Sequence, residues 1–174
     1  MKRLFSFTNF MLAMMVFACS AGSYAESIGG ISLNSGIKAI KAKYGKPAEV
    51  KNLDKNRTAY LWEIKDNSLK IIVDINKIVL IQASADITSK GKTKTFSTLK
   101  GVYPGASGKS IEKLYGKGRD DYAYQSEDCF VVNYKINDRE QLIFRIYGFS
   151  DRGAIVIDTI LCKPGYPKDK IWKE

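Results

Sequence analysis

The chain contains no histidine among its 174 residues. That removes the commonest general base and metal ligand, and with them any Ser-His-Asp, Cys-His or His-based zinc arrangement. Cysteine is scarce too: Cys19, Cys129 and Cys162 are all there is, too few for a structural zinc site. No glycine-rich stretch ends in the Lys-Ser/Thr of a phosphate loop, and no Asp-x-Asx-x-Asx-Gly calcium loop occurs. Beyond the N-terminus, no apolar run approaches the about 20 residues that a spanning helix needs. Catalytic residues: none. Metals and cofactors: none are expected.

What is present begins with an export pattern. Met1-Lys2-Arg3 is basic, Leu4 to Phe17 is mostly apolar, and small residues follow up to Ser23-Tyr24-Ala25. This order predicts a signal peptide over residues 1–25, cleaved after Ala25. A second outcome stays open, because Val16-Phe17-Ala18-Cys19 is similar to a lipobox and would place a lipid on Cys19. The expected location is secreted or periplasmic, or membrane-anchored if Cys19 is lipidated. Losing Lys2 and Arg3 lowers the net charge from +10 to +8. The lysines are scattered, and solvated lysines explain most of that charge. Export argues against nucleic acid as a partner.

An internal similarity organises the rest. Gly30 to Lys46 aligns without gaps on Gly101 to Lys117 at a constant offset of 71. Within it, Ile37, Ile40 and Tyr44, and then Ile111, Leu114 and Tyr115, fall on one face of a 3.6-residue period. Each predicts a short helix, capped by Ser35 or Asn34 in the first case and by Ser107 in the second. Gly45 and Gly116 end them. Alternating runs follow: Ala48 to Asn52, Ala59 to Ile64, Leu69 to Asp74 and Ile78 to Ala85. The later set is Tyr122 to Gln125, Cys129 to Ile136, Leu142 to Tyr147 and Ala154 to Leu161. The expected fold class is α+β: two tandem repeats, each a short helix on an antiparallel meander of about four strands. The first spans 26–85 and the second 101–162, with a basic Ser/Thr-rich linker over 86–100 and a tail over 163–174.

Gly30-Ile31, Ser35, Ile40 and Tyr44-Gly45-Lys46-Pro47, echoed by Gly101-Val102, Ser107, Ile111 and Tyr115-Gly116-Lys117, resemble the β-lactamase inhibitor protein superfamily. That group also includes small outer-membrane assembly lipoproteins. The resemblance implies non-catalytic modules that grip another protein with a sheet surface. Gly118 stands where the first copy has Pro47, a departure that loosens the second helix exit.

The function expected is that of an exported, non-enzymatic module binding a protein or a cell-envelope component. Tyr60, Trp62, Tyr122 and Tyr124 are the candidate binding residues, since aromatics anchor interfaces; a half-buried sheet uses them equally to hold a helix. A small-ligand or anion binder is the alternative. A hydrolase using carboxylates alone ranks lower, because Asp120-Asp121 and Glu127-Asp128 are adjacent in sequence and face opposite ways on a strand. Export favours a disulfide between Cys129 and Cys162, whereas a plain meander puts them at opposite ends of the sheet. Both outcomes stay open.

Overall fold

A computed structural model describes residues 25–85, 94–120, 129–148 and 153–166. In chain order the elements are α1 (Ile37–Tyr44), β1 (Glu49–Asn52), β2 (Arg57–Ile64), β3 (Asn67–Asp74), β4 (Lys77–Ala85) and a 3-10 turn (Lys94–Phe96). Then come α2 (Lys109–Tyr115), β5 (Arg119–Asp120), β6 (Cys129–Lys135), β7 (Gln141–Tyr147) and β8 (Ile155–Cys162). The strands follow the alternation of apolar residues, and two-residue turns with left-handed backbone at Lys65, Ile75 and Asn76 reverse the chain.

The expectation of two tandem modules, each with its own helix-covered meander, is corrected. All eight strands form one antiparallel sheet in the order β1-β2-β3-β4-β8-β7-β6-β5. The first half joins the second edge to edge, from Leu80 opposite Cys162 to Ser84 opposite Asp158. Helix is a minor component, 8 residues in α1 and 7 in α2. One continuous core lies on the helix side. It runs from Ile40, Trp62, Leu69 and Ile71 to Ile111, Leu142, Phe144 and Leu161 without a break. The physical reason is size: about 60 residues bury too small a share of their surface to be stable alone with ease, and pairing β4 with β8 also removes two open sheet edges.

Other expectations shift with this. Neither Ser35 nor Asn34 caps α1, and Ser107 does not cap α2; Gly36 and Gly108 hold those positions without a side-chain cap. Ser35 Oγ instead accepts the Ser32 N–H at 3.0 Å. Leu114, expected on the buried face of α2, is exposed. The supposed linker is part of the core where it is described, since Phe96 is fully buried and packs in a tilted contact on Tyr44 at 5.6 Å between ring centroids. Residues 86–93 lie outside the described residues, as do residues 1–24, where a signal peptide is expected, and the run Tyr122 to Gln125. Gly118 also has a cause: a Cβ there would lie 2.6 Å from Cζ of Tyr134, whose hydroxyl donates to Gly116 O at 2.8 Å. The exit of α2 is therefore tightly packed.

The register places the cysteines. Cys129 stands opposite Tyr147 and Cys162 opposite Gln141, six positions apart on β7, so about 20 Å separates them at 3.3 Å per residue. Both are free thiols, and a bridge is out of reach. Burial pushes the Cys162 thiol up to about 11, which suppresses its thiolate at any pH below that. Titration of the denatured, unreduced protein should therefore find both thiols of this pair free. In the native protein at pH 8, Cys162 should react only through unfolding. Absence of free thiol at these two positions would contradict the register.

Candidate functional site

Of the four aromatics expected to form a binding surface, Trp62 is in the core and Tyr60 is half-buried beside it. Trp62 is 1% exposed and donates Nε1–H to Gly45 O at 3.0 Å, tying β2 to the end of α1. Tyr60 stacks beside it at 6.1 Å, with Lys41 Nζ 4.7 Å above the ring. These two hold the helix on the sheet. Tyr122, Tyr124 and Cys19 lie outside the described residues, as do Asp121 and Glu127-Asp128.

A different site forms at the end of the sheet where β3 turns into β4, β6 turns into β7 and β8 ends. Antiparallel order brings these three points together, and the loop Leu33–Ser35 closes the side. Between them lies an open cleft of about 960 Å³, with Asn76, Lys77, Asn137, Arg139, Glu140 and Lys163 in its walls. The β6–β7 turn is shaped by Asn137, whose Oδ1 accepts the Arg139 N–H at 2.7 Å. An Asx turn of this kind is what Asn favours locally. Lys135 pairs with Asp138 at 2.6 Å and holds that carboxyl below the usual carboxylate range. Among the described residues no ion pair engages Lys77, Arg139 or Lys163, and all three are exposed.

Two buried carboxylates adjoin each other here, Glu140 in the cleft wall and Glu26 beyond it. Glu140, 4% exposed, accepts Asn137 Nδ2–H at 3.0 Å and the backbone N–H of Glu26 at 3.2 Å. Glu26, 3% exposed, accepts the N–H groups of Ser27 at 2.9 Å and Leu99 at 2.8 Å. It also accepts the Tyr115 hydroxyl at 2.9 Å. Burial, chiefly, pushes the Tyr115 phenol well above its ordinary value, and the Glu26 carboxylate adds to this, so Tyr115 remains a donor. Nothing in the sequence signals this cluster, because its members come from positions 114 residues apart.

On the sheet face away from the helices, a third polar group crosses the central strands. The buried Asp158 carboxylate accepts from Arg145, Ser84 and Gln82. Its partners come from both neighbouring strands, so it clamps β7, β8 and β4 together. Among the described residues the Gln82 amide oxygen finds no hydrogen-bond partner.

Neither a family model nor a curated protein matches the chain. Among solved structures, a cysteine-rich secretory protein from Staphylococcus aureus superposes with a TM-score of 0.49 at 11% identity, over 75% of this chain. The chain spans 44% of that protein's length. A likeness this distant supports no functional argument.

The β3–β4 turn beside the cleft carries local strain. Ile75, at the β3–β4 tip, has φ 42° and is 66% exposed, a left-handed backbone that a β-branched residue rarely adopts. Strain of this kind costs on the order of 1–3 kcal/mol, and no burial offsets it. Replacing it with Asn, which tolerates the conformation, should raise the unfolding free energy by about 1 kcal/mol. Urea denaturation reads this directly; an unchanged or lower midpoint would show that the hairpin is not strained.

Proposed function

We propose that this chain is an exported, non-enzymatic binding protein that receives a protein or a cell-envelope component at the turn-end cleft. The observation that carries the reading is the convergence of two turns and the end of β8 around open space, with Lys77, Arg139 and Lys163 exposed and, among the described residues, unengaged by ion pairs. Cations arranged so recruit an anionic or strongly polar surface. Export rests on the basic start, the apolar run and Ala25. A protein partner is favoured by the sequence resemblance to the β-lactamase inhibitor protein superfamily. The cleft replaces the aromatic face as the proposed contact, because Trp62 and Tyr60 serve the core.

The non-enzymatic part is supported by the state of the cleft's acids. Asp138 is exposed and held ionised by Lys135, which disfavours a role as proton donor. Glu140 is already engaged by Asn137 and the Glu26 amide. The same three cations also favour the alternative of a small anionic ligand, since one cleft could serve either.

Charge reversal separates the reading from a bystander surface. The triple variant Lys77→Glu, Arg139→Glu, Lys163→Glu should lose binding to envelope-fraction components by about tenfold or more, roughly 1.4 kcal/mol. Its unfolding free energy should stay within about 0.5 kcal/mol for each exposed site changed. Binding retained by the folded variant would remove the cleft from consideration.

A further inference from the structure

The boundary between Ala25 and Glu26 is also a boundary in burial. Ala25 is exposed and lines the cleft, whereas Glu26 is 3% exposed and Ile28 is fully buried. Among the described residues, burial thus begins at the residue that cleavage after Ala25 would make the N-terminus. The Glu26 backbone nitrogen points at a specific group, Glu140 Oε2, at 3.2 Å. Glu140 and Glu26 are both buried carboxylates, and among the described residues neither forms an ion pair with a lysine or arginine. Two anions out of water without a counter-ion are costly. Only neutral donors answer that cost: the Asn137 amide and the Glu26 N–H at Glu140, and the Ser27 and Leu99 N–H groups with the Tyr115 hydroxyl at Glu26.

We infer that proteolytic processing supplies the missing cation: hydrolysis of the Ala25–Glu26 bond frees an α-ammonium at Glu26 that forms a buried ion pair with Glu140. The step needs a leader-type endopeptidase and one water. The C–N bond breaks, the hydroxyl of water goes to the Ala25 carbonyl carbon, and the nitrogen takes up protons to become –NH3+. An amide with one donor becomes a cation with three donors, already placed within hydrogen-bonding distance of a carboxylate. Charge-assisted bonds of this type are about twice as strong as neutral ones. The same cut removes Ala25 from the cleft wall. The device rests on the export signal and not on what the cleft binds.

The experiment compares three full-length mature chains in urea at pH 7: one starting at Glu26 with a free amine, one N-acetylated at Glu26, and one retaining Ala25. The free-amine chain should have an unfolding equilibrium constant about tenfold or more smaller than the other two. Glu140→Gln should erase that difference. If this variant does not fold, the α-amine itself reports. Its acylation in the native free-amine chain should be about tenfold or more slower than in the denatured chain, because the paired nitrogen is shielded. Equal midpoints for the three chains, or an equally reactive native amine, would overturn the inference. So would an exported chain that begins at a lipidated Cys19. Loss of cleft binding in the charge-reversal variant is a separate readout, so the two readings fail independently.

Discussion

The fold depends on one seam, the pairing of β4 with β8. Strands β1 to β4 form one meander and β5 to β8 another, and this single edge-to-edge contact turns them into one eight-stranded sheet. Without it each half would expose a strand edge and leave half of a shared core open to water. Residues on both sides of the seam show why it holds. Leu80, Ile81 and Ala83 of β4 and Ile160, Leu161 and Cys162 of β8 are all fully buried. Asp158 then adds directionality, since its carboxylate is satisfied only when Ser84 and Gln82 of β4 and Arg145 of β7 stand in register. A slipped register would strand that buried charge, a large penalty.

Most secondary structure was legible because its signals are local. The alternation from Leu69 to Val73 and from Leu142 to Tyr147 marks strands, and Gly45 and Gly116 end the helices with φ of 81° and 78°. What was not legible is what happens between distant segments. The internal similarity at offset 71 describes two stretches of sequence, yet it says nothing about whether two sheet edges meet. It therefore led to separate modules. The aromatics erred the same way, since Trp62 looks identical as a core anchor or a surface anchor until Gly45 O is found beside its indole nitrogen. The cysteine geometry fared better because it needs only strand direction.

The candidate site follows from the seam. Antiparallel order places the β3–β4 tip, the β6–β7 turn and the end of β8 at one end of the sheet, so the cleft between them is a product of topology. Its polar walls are turn residues, chosen by the sequence for local reasons such as the Asx turn at Asn137. Glu26 lies next to this cleft, and its carboxylate reaches Leu99, just ahead of the second half, and Tyr115 within it. It thereby bridges the same two halves from the other side of the molecule's chain.

Native-state hydrogen exchange tests the seam most directly. If the two meanders form one cooperative unit, the paired amides of Leu80 to Ser84 and Asp158 to Cys162 exchange only through global unfolding. Their protection then equals the unfolding free energy measured in denaturant, and all eight strands lose protection together. Protection of β1 to β4 that survives after β5 to β8 has opened, or the reverse, would show two independent modules and contradict this account.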